Sequence, residues 1–221
     1  MEKVAILVDG GFYRRRMISV NGYMPAIEFA NQLFTYCCFH LKEVINGQDR
    51  FWDLYRIFYY DCPPLAKKVY HPLLKSSIDL SKTDDYKWMN EFLAELKKKR
   101  KTALRLGNLL EDEITYTLKK DVIKKLINGT LDIISLTQKD FVLDTIQKGV
   151  DMKIGIDIAT LAHKKLVNKI ILISGDSDFA PAAKLARIEG IDFILDPLWA
   201  KIKPDLYEHI DGLASKMKKP D

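Results

Sequence analysis

Residues 148–179 read KGVDMKIGIDIATLAHKKLVNKIILISGDSDF, and this stretch decides the fold. A helical segment opens at Asp151 and runs to about Leu166. An apolar, isoleucine-rich run, KIILIS, follows over Lys169–Ser174, and the chain leaves it through Gly175-Asp176-Ser177-Asp178-Phe179. A short, continuous apolar run between polar breaks suits a strand buried on both faces. Pro181–Glu189 continues as a helix closed by Gly190, and Ile191–Leu195 as another strand. Strand and helix in alternation predict a parallel sheet with crossover helices. The expected class is α/β, a three-layer α/β/α sandwich on a mainly parallel central sheet, Rossmann-like in its layering.

Working outward, Lys3–Val8 (KVAILV) is a second buried strand, ended by Asp9-Gly10-Gly11. Glycines there permit a sharp turn and leave Asp9 at the strand exit. Asp53–Tyr60 reads as a further strand, with Asp61 at its exit and Cys62-Pro63-Pro64 stopping it. Phe141–Ile146 is predicted as the strand that precedes Asp151. Pro25–Val44 and Asp84–Lys101 carry helical spacing, and 121–127 a short helix. Residues 104–110 and 113–118 are candidates to pair as strands. Residues 204–213 read as a last helix, and 214–221 as a fraying tail. The expected organisation is one domain over 1–213 with an insertion at roughly 65–140, since no linker composition bounds that region.

The 221 residues carry a formal charge of +5, a pI of about 8.9 and 48% hydrophobic residues, a balance that permits a polyanionic partner without requiring one. Three cysteines, Cys37, Cys38 and Cys62, make neither a disulfide framework nor a zinc motif. Met1-Glu2-Lys3-Val4 leads straight into a strand, and no apolar run is long enough to span a bilayer. The expectation is a cytoplasmic protein with no membrane partner.

In an open parallel sheet, ligands bind outside the carboxyl ends of the strands. Asp9, Asp61, Asp151 and Asp176 all fall on that rim. Crowded carboxylates repel unless a cation compensates, and oxygen-only ligands favour Mg²⁺ or Mn²⁺. Asp9, Asp151 and Asp176 are therefore the candidate metal ligands. Asp61 and Asp157 are further candidate acids, although Asp61 also reads as a turn residue and Asp157 as an i,i+4 partner of Lys153. Arg14-Arg15-Arg16 and Lys148 could grip a nucleic-acid backbone, or simply be solvated. The run Lys97–Lys101 reads either as a solvated helix end or as a nucleic-acid patch. His40, His71, His163 and His209 stand in no triad-like context, and there is neither a Walker-type nor a dinucleotide-binding glycine motif.

Four segments, VAILVDGGF, FYYDCPP, QKGVDMKIGIDIA and ISGDSDFAPA, together resemble the NYN domain, a branch of the PIN-like ribonuclease superfamily with LabA-like (DUF88) members. They spread over about Lys3 to Leu195, with the middle of the chain poorly matched. The resemblance implies a PIN-like sandwich and an acidic Mg²⁺ or Mn²⁺ site. Onto matching positions it carries Asp9, Asp151 and Asp176 as acidic residues, with Asp178, the second acid of SGDSD, supporting them as a further catalytic residue. Many PIN-like proteins have Asn shortly after the first Asp, where this chain has Gly10-Gly11-Phe12. The implied activity is that of a metal-dependent endoribonuclease, hydrolysing RNA phosphodiesters with a metal-activated water. The other reading is a non-catalytic RNA- or nucleotide-binding module on the same fold. RNA, single-stranded or structured, is the implied partner, and self-association into a homo-oligomer stays open.

Overall fold

The computed structural model describes residues 2–110, 114–145 and 147–219. In chain order they form β1 (Lys3–Asp9), α1 (Gly10–Asn21), α2 (Ala26–Phe39), β2 (Lys42–Ile45), β3 (Gln48–Phe51), β4 (Asp53–Asp61), β5 (Lys68–His71) and β6 (Ser76–Asp79). Next come α3 (Asp84–Lys98), β7 (Thr102–Leu106), β8 (Asn108–Leu109), β9 (Thr115–Leu118), α4 (Lys120–Ile127), β10 (Phe141–Asp144) and β11 (Gln147–Lys148). The chain closes with α5 (Val150–His163), β12 (Lys169–Ile173), α6 (Ala180–Ile188), β13 (Asp192–Asp196), α7 (Pro204–Glu208) and β14 (Gly212–Leu213).

Six strands make the central sheet in the order β14-β13-β12-β1-β4-β7, every neighbouring pair parallel. The period-two alternation of each strand sends its side chains to two cores. Val4, Ile6 and Val8 of β1, with Ile57 and Tyr59 of β4, pack against α1, α2 and α3 on one face. Ala5 and Leu7, with Phe58 and Tyr60, pack against α5 and α6 on the other. This is the expected three-layer sandwich. From β1 the chain progresses to β4 and β7 on one side, whereas β12 leads to β13 and β14 on the other. The order therefore reverses between β1 and β12, and helices leave these two strands on opposite faces. That crevice is where a doubly wound sheet places its site.

Several elements differ from the sequence expectation. Gly10–Asn21 is a helix, not a turn followed by a loop: Asp9 caps it by accepting from the Phe12 amide at 3.0 Å. Gly10 serves closeness rather than left-handed geometry, because a Cβ there would lie 2.6 Å from the Tyr60 carbonyl and against the Tyr59 ring. The helix expected to reach Val44 ends at Phe39, and its last residues instead form the β2–β3 hairpin. Within the expected insertion, α3 packs on α2 and β7 is the edge strand of the central sheet. Among the described residues of that region, the excursions from the sandwich are the β5–β6 hairpin and residues 107–110, 114–145 and 147–148. Residues 104–110 and 114–118 do not pair with each other, since β8 pairs with β11 and β9 with β10, both antiparallel, and Glu113 is outside the described residues. Of the expected strand Phe141–Ile146, β10 stops at Asp144 and lies outside the central sheet, and Ile146 is outside the described residues.

The chain end also departs from expectation. The helix predicted over 204–213 is a single short turn followed by β14. In the expected tail, Ser215, Lys216 and Met217 are hydrogen-bonded to the body of the fold. Asp196, fully buried at the exit of β13, accepts from His40 Nε2 at 2.9 Å, Leu198 N at 2.9 Å, Ser215 Oγ at 2.7 Å and the Tyr36 hydroxyl. The Lys216 amide donates to the same Tyr36 oxygen at 3.1 Å. A buried carboxylate needs this many donors to offset its desolvation, and here they tie the tail to α2.

Gly10→Ala tests the close packing beneath the site. Overpacking against backbone should cost about 1–3 kcal/mol and lower the thermal midpoint by several degrees in a denaturation scan. An unchanged midpoint would show that α1 does not seat on β4 as described.

Candidate active site

The site is built across the β1–β12 crevice. Asp9 ends β1 with both carboxylate oxygens engaged: Oδ1 accepts from Phe12 N, and Oδ2 accepts from Ser174 Oγ at 3.1 Å. Ser174, fully buried just past β12, also accepts from the Asp176 amide at 3.2 Å through the same oxygen. Asp176 in turn caps the short turn Ser177–Phe179, its Oδ1 accepting from Asp178 N at 3.0 Å. The SGDSD segment is thus a chain of side-chain-to-backbone bonds that fixes Asp176 beside Asp9. Gly175 has no room for a side chain, because the Phe12 ring lies 2.7 Å from where its Cβ would be. Asp151 arrives from a third direction, in the first turn of α5, which Gly149 enters through a left-handed conformation at φ +83°.

Electrostatics link these acids. Burial pushes the Asp9 carboxyl above its ordinary value. The Phe12 amide, Ser174 and nearby Arg15 oppose that shift, and Asp151 adds to it. Asp151 is also raised, first by burial and then by the charges of Asp176 and Asp178. Asp151 is thus the acid common to both effects: its charge acts on Asp9, and the charges of Asp176 and Asp178 act on it. The donor set is all carboxylate oxygen, which fits a hard divalent cation. Among the described residues the side chains do not close into a group of three or more ready-made metal ligands.

The other expected residues separate. Asp61 is saturated: Arg14 donates to both its oxygens from Nε (2.9 Å) and Nη2 (3.0 Å), Tyr59 Oη donates at 2.7 Å and Cys62 N at 2.8 Å. It anchors Arg14 rather than adding to the acidic group. Asp157 accepts from Tyr60 Oη at 2.8 Å and pairs with Arg105 at 2.9 Å, so its expected partner Lys153 is replaced; Lys153 instead reaches the Leu106 carbonyl. Arg16 donates to the Leu198 carbonyl at 2.8 Å. Of the three arginines, Arg15 is the exposed one, and its charge acts on Asp9. Lys148 is exposed in β11. The run Lys97–Lys101 lies at the wrong end of the sheet. Lys101 pairs with Asp53, the first residue of β4, roughly 26 Å along that strand from Asp61.

Sequence reasoning gave no role to Ser174 and Gln147. Ser174 was visible as the first residue of SGDSD, yet nothing local shows that its hydroxyl faces Asp9, 165 positions away. Gln147 flanks Gly11 from the β8–β11 ribbon, an approach that no spacing encodes.

A doubly wound parallel sheet with clustered aspartates at its switch point defines the nuclease-like α/β fold of the PIN-like superfamily. The sequence model of the NYN domain matches residues 79–200, more than half of the chain, and the chain belongs to that family. The match includes Asp151, Asp157, Asp176 and Asp178; Asp9 and Asp61 lie before it. It also covers most of the region read from the sequence as a poorly matched insertion. A solved structure of a protein of unknown function from Vibrio parahaemolyticus RIMD 2210633 is similar over 99% of this chain and 95% of that chain, with 13% identity and a TM-score of 0.49. No curated protein matches the sequence.

A raised carboxyl binds more protons folded than unfolded, so it lowers stability as pH climbs through its folded pKa. Asn at position 9 keeps the helix cap without the charge. In metal-free buffer, Asp9→Asn should therefore raise the unfolding midpoint at neutral pH. That gain should vanish as pH falls below the ordinary carboxylate range. A pH series of melting curves checks both halves.

Proposed function

We propose that this chain is a metal-dependent endoribonuclease that hydrolyses RNA phosphodiesters at the β1–β12 crevice. The observation that carries this reading is the Asp9–Ser174–Asp176 connection, with Asp151 facing it. Three elements hold acids in mutual repulsion, an arrangement that costs stability unless a cation offsets it. Asp9, Asp151 and Asp176 would hold Mg²⁺ or Mn²⁺, with Asp178 in support. A divalent ion there supplies Lewis acidity toward a phosphate oxygen and makes water a better nucleophile at neutral pH.

The chain's own residues do the rest. Ser174 and the Phe12 amide fix the Asp9 carboxylate, so it does not reorganise when substrate arrives. Asp176 is fixed by its turn in the same way. Arg15, whose charge acts on Asp9, and the exposed Lys148 on the neighbouring ribbon would meet the phosphate backbone. Arg14, locked on Asp61 in a neutral pair, fixes the wall at the next turn of α1 and is not a free cation for phosphate. Asp157 and the 97–101 run take no part.

One observation favours a second reading, a module that binds RNA without cutting it: the acids do not close into a ready ligand group among the described residues. The deciding assay offers labelled single-stranded RNA, single-stranded DNA and duplexes with Mn²⁺, Mg²⁺ or EDTA. The nuclease reading expects metal-dependent cutting of RNA that Asp9→Asn or Asp176→Asn reduces by at least about a hundredfold. It expects Asp157→Asn to cut as wild type does. Binding without cutting, equal in wild type and both site variants, would move the chain to the second reading.

A further inference from the structure

A cleft of about 380 Å³ lies beside the acids, lined in part by Arg14, Tyr23, Asp85, Trp88 and Gln147. Its size is at the small end for ligand pockets. Gln147 joins it to the acidic crevice, because Gln147 Oε1 and Asp9 Oδ1 flank the same glycine, 3.8 Å and 3.6 Å from the point where a Gly11 Cβ would sit. Arg14, one helical turn beyond Gly11, lines the cleft with its guanidinium held by Asp61.

The aromatic wall is pre-set. Trp88 stacks on Phe92 with centroids 5.2 Å apart and planes 16° from parallel, and its indole N–H donates to the Met24 carbonyl at 2.9 Å. Both constraints hold the ring in one orientation. Tyr23 stands beside it, centroids 5.6 Å apart and tilted 43°, yet Tyr23 is 61% exposed. One fixed aromatic ring, Trp88, and one exposed ring, Tyr23, in a narrow cleft beside the acidic crevice match the stacking platforms on which proteins hold unpaired bases. Asp85, in the first turn of α3, adds an exposed carboxylate that can only accept hydrogen bonds.

We propose that this cleft is a nucleobase subsite: one unpaired base of the strand stacks on Tyr23 and Trp88, and Asp85 and Gln147 read its edge. The inference rests on the nucleic-acid reading of the adjacent acids, to which it adds base selection. An acceptor-only carboxylate favours bases that present amino or imino donors, guanine most, with its adjacent N1–H and N2–H₂. Uracil fits worst, since its single N–H lies between two carbonyl oxygens that the carboxylate repels. A free phosphate group is disfavoured here for the same reason.

The test is binding in EDTA, where no cutting occurs. Short single-stranded oligoribonucleotides of uniform G, A, C or U are titrated against tryptophan fluorescence and, independently, by anisotropy of an end label. Wild type should bind G-containing strands tightest and U strands weakest, with quenching that Trp88→Phe removes. Tyr23→Ala, at an exposed position and checked by an unchanged melting curve, should weaken binding about tenfold or more. Asp85→Asn should narrow the gap between G and U. Wild-type affinity in Tyr23→Ala, or a G-to-U order unchanged by Asp85→Asn, would overturn the subsite. Cleavage by Tyr23→Ala with a raised KM and a smaller change in kcat adds support where cutting is seen. Base-selective binding without cutting keeps the subsite and refutes only the nuclease reading.

Discussion

The Asp9 carboxylate bridges two strands and starts a helix at once. One oxygen accepts from the first turn of α1 and the other from Ser174 beyond β12. Those two strands are neighbours in the sheet, and the strand order reverses between them. Remove this link and the crevice loses the contact that positions the SGDSD turn, because Ser174 also carries the Asp176 amide. The surrounding core is arranged to hold it. Gly10 lets α1 sit directly on β4, and Gly175 lets the Phe12 ring cover the turn. Small residues at these two points give the carboxylates a fixed frame, and repulsion among the acids makes that frame costly without a compensating charge.

A second buried acid shows the contrast. Asp61 stands at the exit of β4 just as Asp9 stands at the exit of β1, yet it collects Arg14, Tyr59 and its own neighbouring amide. Its charge is neutralised inside the protein, so no external cation is called for. Asp196 at the exit of β13 is satisfied in the same way by neutral and histidine donors. Four strand exits carry acids at or just past the rim, and the pattern of partners separates structural anchors from the group that faces solvent. The Arg14–Asp61 anchor also bounds the aromatic cleft, so a structural pair and the candidate base subsite share one wall.

Much of this was legible in the sequence where physics is local. KVAILV, DLYRIFYY and KIILIS are strands because runs of that composition bury on both faces of a parallel sheet. Asp9, Asp151 and Asp176 stood out because each follows or opens such an element. Helix α1 was not legible, since Gly-Gly and three arginines carry weak helical periodicity; the Asp9 cap and the β4 contact define it. The helices expected over 84–101 and 121–127 are present as α3 and α4, but the strand pairing between them was not legible, because short hairpins and the half-exposed edge strand β7 lack a clean pattern. The partner of Asp157 lies 52 positions away at Arg105, and that of Arg14 lies 47 away at Asp61. Spacing along a helix offered Lys153 instead, a pair worth only a few tenths of a kcal/mol, and the tertiary partner displaced it.

The central claim is that acids from β1, α5 and the turn after β12 act as one cation site. Calorimetric titration of Mn²⁺ into the metal-free protein tests it without reference to substrate. The account predicts saturable binding that is abolished or greatly weakened in Asp9→Asn, Asp151→Asn and Asp176→Asn, and unchanged in Asp157→Asn. Binding that survives Asp9→Asn, or that disappears with Asp157→Asn, would contradict it.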